Sequence, residues 1–477
     1  MNQKNIPILQ MLEEFSTTKS ISFHVPGHKS GVIFPEQAKS YYEHILKLDM
    51  TELPGLDDLH APHGAIAEAE KLASAFFQSD HTFFLINGST VGNLAMILAA
   101  CKQNDKVIVQ RNSHKSILNG LELAGVRPVF LAPEYDAKVE RFTSPAINTL
   151  EKALDEHPDA KAVILTYPDY FGRTYDIKTM IELAHDRNIP VLVDEAHGVH
   201  FALGEPFPKS ALELGADVVV HSAHKTAPAM TMASYLHIKS KLITKESLAY
   251  RLQMLQSSSP SYPLMASLDI ARYYLAMLNQ ERIQQILEDI DKIKALFREA
   301  VSHWDIIPSD DPLKLTIQLK DGYTAKEAAR LFEEQGIYPE LTTDRQILFI
   351  FGLGPFSEWA RLKKVLKYVM EALKNNGNHA TIEVVNYFTS TIQELALTYR
   401  EMEGLKQKLI PFEKAIGEIA AEPVIPYPPG IPLISKGEIV TLEHYTAINQ
   451  LIEQGVRIQQ REEGIRIFMS NLKEKQT

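Results

Sequence analysis

Seven short apolar runs between residues 82 and 237, separated by stretches of helical periodicity, constrain the fold of this chain more than any other feature. The runs are 82–86, 106–109, 128–131, 162–166, 190–193, 218–220 and 234–237, and segments such as 92–101, 147–156 and 176–186 carry apolar residues at helical spacing. Strands that read as nearly continuous apolar runs and alternate with helices predict a mostly parallel sheet covered on both faces. In such α/β sheets ligands bind beyond the C-terminal ends of the strands. What stands at the ends of these runs therefore matters most.

The rest of the chain reads as smaller units. Residues 265–303 show helical spacing with no internal Pro or Gly, as expected of a long helix or a helix pair. From Lys314 the pattern is strand 314–318, helix 325–334, strand 346–351 and helix 358–374. Asn375-Asn376-Gly377-Asn378 reads as a linker. Beyond it we expect a helix at 390–408, the Pro-rich stretch 426–432 and a helix at 442–454. This gives an N-terminal segment (1–60), a major domain (61–303), a small α/β domain (304–376) and a C-terminal α+β extension (377–477). Net charge is −11, the wrong sign for a large phosphate-binding face, so no nucleic-acid partner is expected. No apolar stretch approaches a membrane span, and residues 1–15 lack the basic start and apolar run of a signal peptide. The single cysteine, Cys101, excludes an internal disulfide and a Cys-rich metal site, in keeping with a reducing cytoplasm.

Two run ends carry the chemistry. Asp194-Glu195-Ala196-His197 closes one run, and Ser222-Ala223-His224-Lys225 closes another about thirty residues later. A lysine able to form a Schiff base and an acid able to hold a pyridine nitrogen protonated are the groups that pyridoxal phosphate needs from a protein. Asp-Glu-Ala-His also occurs in ATP-driven helicases, but that reading requires a phosphate loop. The nearest approach, Gly27-His28-Lys29-Ser30, lacks the leading glycine and follows no strand. Asn87-Gly88-Ser89-Thr90 opens the helix after run 82–86, where hydroxyls and unpaired backbone N–H groups suit a phosphate. His114, after the next run, can lie flat on a pyridine ring or simply cap a helix. The acid–histidine clusters at 57–63 and 197–200 lack metal-site spacing, so no metal is expected.

Taken together, the residues resemble a known family, the pyridoxal-phosphate-dependent Orn/Lys/Arg decarboxylases of fold type I. The resemblance rests on eight motifs in order. They are Phe23-His24-Val25-Pro26-Gly27-His28-Lys29, Gly55-Leu56-Asp57-Asp58-Leu59-His60, Asn87-Gly88-Ser89-Thr90, Arg111-Asn112-Ser113-His114-Lys115-Ser116, Asp194-Glu195-Ala196-His197-Gly198, Ser222-Ala223-His224-Lys225, the 257–262 serine run and the 426–432 proline stretch. The chain is similar to the short subgroup without the N-terminal wing of the large inducible enzymes. By position, the resemblance implies Lys225 as the cofactor lysine, Asp194 as the pyridinium partner and His114 stacked on the ring. Ser89, Thr90, Ser222 and His224 fall on the phosphate, and His197 beside the ring where large relatives often carry tryptophan. Ser89 stands where threonine is usual and still offers a hydroxyl.

Glu340 matches the region where the family turns a carboxylate toward the distal cation of the substrate. Ser258, within the 257–259 run, lies where fold type I enzymes bring a second subunit to the phosphate, which implies a homodimer or higher homo-oligomer. The expected activity is decarboxylation of a basic amino acid, arginine first, then lysine or ornithine. The alternatives are another reaction on the same fold, such as transamination, or a catalytically weak cofactor-binding protein. A transaminase would need an arginine for the α-carboxylate, and Arg111, Arg173 and Arg251 are all available for that purpose.

Overall fold

The computed structural model describes residues 1–18, 21–343, 345–374, 388, 390–427, 431–453, 457–458 and 464–469. The 375–378 linker and residues 428–430 of the proline stretch lie outside these. Two compact units form, Met1–Ala100 with Ile177–Arg282, and Cys101–Asp176 with Ile283–Thr477.

In the first unit the strands run in the order His81–Leu85, Ser234–Ile238, Val218–His221, Val191–Asp194. The last two are parallel, with Asp194 opposite Val220, and the other pairings are antiparallel. Every residue of Val191–Asp194 and Val218–His221 is buried, and up to their polar last residues, Asp194 and His221, both are unbroken apolar runs, as strands covered on both faces are. Helix Gly88–Ala100 packs close to this sheet because residue 92 is glycine. A Cβ there would stand 2.8 Å from Leu85 Cδ1 and 3.0 Å from Val220 Cγ1. The 265–303 pattern resolves into two successive helices, Tyr262–Met277 and Gln280–Arg298, the second running on from Ile283 in the other unit.

In the second unit Ala162–Thr166, Lys106–Gln110 and Arg127–Leu131 are parallel neighbours. Ile392–Glu394 adds antiparallel to the last of them, with Ile392 opposite Leu131. This differs from the helix expected at 390–408. The segment instead forms that strand, a short helix Tyr399–Met402 opened by a Thr398–Glu401 capping box, and a strand Gln407–Ile410. Pairing with a sheet edge overrides local helical spacing here. A four-stranded antiparallel sheet, in the order Trp304–Ile307, Lys314–Leu319, Gln346–Ile350, Leu341–Thr342, packs on helices Ala325–Glu334 and Trp359–Lys374. Its core sets the rings of Phe297, Trp304, Phe332 and Phe349 among aliphatic side chains such as Ile317, Leu331 and Val369. A separate apolar cluster around Val424, Ile434, Ile448 and Ile465 organises the C-terminal part with helix Leu442–Glu453. Among the described residues no helix is long and apolar enough to cross a membrane.

Candidate active site

Asp194 and Ser222 stand at or just past the C-terminal ends of two adjacent parallel strands, and the chain then turns through a short 3-10 segment that ends at Lys225. Asp194 is 4% exposed. Its Oδ2 accepts from Asn93 Nδ2 at 2.9 Å and its Oδ1 accepts from the Ala196 N–H at 3.2 Å. Lys225 Nζ lies 2.9 Å from His197 Nε2. The Ser222 hydroxyl donates to Ser89 Oγ at 2.7 Å.

One helix ties these groups together. Gly88–Ala100 carries Ser89 in its first turn and Asn93 one turn later, so it reaches Ser222 through one residue and Asp194 through the other. Gly88 takes φ +75°, and a Cβ built on it meets nothing within 4 Å. The opening of the helix is therefore an uncluttered cradle with hydroxyls at its rim, as a phosphate group requires. His224 Nδ1 sits 3.2 Å from the Ala233 carbonyl. Burial, reinforced by the Lys225 charge, holds its pKa below the ordinary histidine value. Thr90 is exposed at the same helix end. A lysine, a buried carboxylate and a hydroxyl-lined helix start, all in one unit, fit pyridoxal phosphate in donor type.

Other expected residues have separate settings. His114 caps helix Lys115–Ala124, its Nδ1 accepting from the Ser116 N–H at 3.2 Å. Ser258 is exposed, and the neighbouring Ser257 N–H points at Asn87 Oδ1, 3.4 Å away. Glu340 is exposed and accepts from the Tyr170 hydroxyl at 2.6 Å. Asp57 is buried, and its carboxylate accepts from the N–H groups of His63, Gly64, Ile66 and Ala67 at the start of helix Ala65–Phe77. Burial opposes its ionisation, but those four backbone donors prevail and lower its pKa. Asp57 is thus committed to the helix. No cluster of potential metal ligands occurs among the described residues.

Two of the candidate arginines are engaged by acids. Arg111 pairs with Glu438 at 2.7 Å and donates to the Pro432 and Leu433 carbonyls. Arg173 pairs with Asp310 at 2.8 Å and Asp136 at 3.4 Å. The Arg251 guanidinium lies over the Tyr250 ring. The sequence reading missed Asn93. Its signal was present: it is a buried polar residue inside the apolar stretch Val91–Ala100, and such a group needs a partner.

Comparison with known proteins places the chain in a family. Residues 6–310 match the family described as Orn/Lys/Arg decarboxylase, major domain, and residues 379–462 match its C-terminal domain. The chain belongs to the Orn/Lys/Arg decarboxylase family, and it is an amino-acid decarboxylase. It is 43% identical to the uncharacterized protein YaaO of Bacillus subtilis over 95% of this chain and 96% of that one. It is 35% identical to the arginine decarboxylase of Bacillus anthracis, covering 96% and 95% of the two chains. The structure of the Escherichia coli constitutive lysine decarboxylase superposes with a TM-score of 0.78 at 19% identity, over 98% of this chain and 82% of that one. That likeness establishes the α/β fold of type I.

Proposed function

We propose that the chain decarboxylates a basic amino acid, arginine before lysine or ornithine, with pyridoxal phosphate bound at Lys225, and that it works as a homodimer or higher homo-oligomer. The observation that carries this reading is the pairing of Lys225 with His197 beside an Asp194 held by Asn93, at the ends of two adjacent parallel strands. The 35% identity to an arginine decarboxylase supports the order of substrates.

When bound, pyridoxal phosphate supplies an electron sink for the pair left at the substrate Cα as carbon dioxide departs. The remaining roles fall to residues of this chain. Asp194, buried and oriented by Asn93 and the Ala196 N–H, would hold a proton on the pyridine nitrogen, because an adjacent carboxylate favours the protonated form. Ser89, Thr90, Ser222, His224 and the helix start at Gly88 would hold the phosphate, with Ser258 brought to it from the second subunit of the homodimer. His197 would accept or return the proton of Lys225 Nζ, and His114 would face the ring. Glu340, oriented by Tyr170, would meet the distal cation of the substrate, since guanidinium and ammonium groups both seek a carboxylate. With Arg111 and Arg173 already paired to acids, neither is available to clamp an α-carboxylate, which suits a reaction in which that group leaves.

Two measurements test the reading. Purified protein loaded with pyridoxal phosphate is offered arginine, lysine and ornithine, and carbon dioxide, amine and keto acid are quantified. We expect amine and carbon dioxide in equal amounts, fastest from arginine. Lys225→Ala should lose the visible absorbance of the bound cofactor and at least about a thousandfold in turnover, as expected when a covalent catalytic group is removed. Keto-acid formation in place of carbon dioxide release, or a Lys225→Ala protein retaining both absorbance and turnover, would overturn the assignment.

A further inference from the structure

Glu195 follows Asp194 directly, yet its carboxylate is fully buried and enters a line of hydrogen bonds that the roles above do not use. Glu195 Oε1 accepts from the Ala211 N–H at 2.9 Å, and Oε2 lies 2.8 Å from His221 Nε2. His221 Nδ1 is 3.0 Å from His237 Nε2. His237 Nδ1 is 2.8 Å from the Thr82 hydroxyl, which in turn meets the Ser79 hydroxyl at 2.8 Å. His221 is 1% exposed, and His237 and Thr82 are 0% exposed.

Sheet register builds this line. Thr82 stands opposite His237 in one antiparallel pair, and His237 stands opposite Val219 in the next. Residue 221, two beyond 219, is the diagonal neighbour of 237 on the same face. Burial raises the pKa of Glu195, and the donors His221 and the Ala211 N–H work against that. A neutral imidazole has one donor and one acceptor, so with Glu195 ionised every proton in the line is fixed. Ser79 then donates to Thr82, Thr82 to His237 Nδ1, His237 Nε2–H to His221 Nδ1, and His221 Nε2–H to Glu195. Burial pushes the pKa of His237 well down and keeps that ring neutral, as the pattern demands.

The carboxylate at the end of the line is the centre of the turn that carries the site. The Glu195 N–H donates to the Val220 carbonyl at 3.0 Å, and the Gly198 N–H donates back to the Glu195 carbonyl at 2.9 Å. The turn closes so tightly on the side chain that a Cβ on Gly198 would lie 2.5 Å from Glu195 Cγ. Asp194 precedes Glu195 by one residue, and His197 follows it by two.

We infer that Glu195 is a positioning residue, anchored by the His221–His237–Thr82–Ser79 line, and that this anchor sets where His197 meets Lys225 Nζ. A buried carboxylate left with only one of its two donors is disfavoured and rotates toward another partner or takes up a proton. The turn moves with it, and a displacement of roughly 1 Å in an aligned group costs about a hundredfold in rate. The inference rests on Lys225 being the cofactor lysine.

The test compares His221→Gln, which keeps an N–H donor toward Glu195, with His221→Leu, which fills similar space without one. Pyridoxal phosphate is titrated into each cofactor-free protein, followed by absorbance, and kcat and KM are measured on the best substrate. His221→Leu should lower kcat about 10- to 100-fold with KM within about threefold, weaken cofactor uptake and alter the spectrum of the bound cofactor. His221→Gln should recover most of each. Gly198→Ala, at a backbone φ of −114° that alanine adopts freely, pushes on Glu195 from the other side and should reproduce the leucine phenotype. It also replaces the leucine variant as the decisive comparison if that protein does not fold. Leucine and glutamine variants that behave alike, or a Gly198→Ala protein with the parent spectrum and kcat, would overturn the inference. A parent protein that takes up no pyridoxal phosphate would instead sink the cofactor reading itself.

Discussion

At the scale of single residues, Glu340 shows how its setting changes the size of an expected effect. A buried carboxylate facing a substrate cation is costly to remove, but Glu340 is exposed and accepts from the Tyr170 hydroxyl. A hydrogen bond to a charged group contributes about 1.5–3 kcal/mol, and solvent screening argues for the lower figure. Glu340→Gln should therefore raise KM roughly tenfold, at about 1.4 kcal/mol per decade, with cofactor uptake unchanged. Steady-state kinetics on the best substrate decide it, and a change under about threefold removes Glu340 from the substrate contact. Asp57 cannot inherit the role, since five backbone N–H groups already occupy its carboxylate. The acid, the lysine and the serines that the structure brings together could be picked out in the sequence because they stand at strand ends, where α/β sheets bind ligands. Asn93 and the Glu195–His221 pair were not. They act from inside the helix and the sheet, where the sequence shows a polar residue among apolar ones but not which partner it meets.

At the scale of elements, the buried Arg111–Glu438 pair fixes how the C-terminal segment joins the end of strand Lys106–Gln110. Glu438 also accepts from the Ser435 N–H at 2.8 Å and from Gln393 Nε2 at 3.1 Å, so one carboxylate gathers three segments of the second unit. Breaking a buried pair by removing one partner costs about 3–5 kcal/mol, whereas replacing both with apolar residues is often close to neutral. Arg111→Met should lower unfolding free energy by that amount in urea denaturation. Arg111→Met with Glu438→Leu should recover a large part of it. A single mutant as stable as the parent would show that the charge is solvated and that the pair holds nothing. These elements also mark where local pattern runs out. The parallel strands were found to within about a residue because burial on both faces leaves an unmistakable apolar run. Ile392–Glu394 was read as helix because three residues carry no period, and only the open edge at Arg127–Leu131 makes them a strand.

At the scale of the whole molecule, the proposed assembly has its own physical motive. Ile21 is 81% exposed, Phe23 93%, Val25 63%, Val32 81%, Ile33 63% and Tyr41 84%, all within one stretch near the N-terminus. Single exposed apolar residues are ordinary, but soluble monomers rarely present so many large ones in succession. A second copy of the chain is the occupant that the proposed homodimer supplies. Phe23→Glu with Val32→Glu places two charges where an interface would have to desolvate them without partners, a change that typically costs several kcal/mol and lowers affinity by orders of magnitude. Light scattering across a dilution series should therefore find the parent as a dimer or larger assembly, and the double variant shifted toward monomer at the same concentration. Specific activity should fall with that shift if the assembly completes the site, and it should recover as protein concentration rises. A parent that remains monomeric and fully active throughout the series would refute the assembly. The exposed stretch would then belong to some other contact.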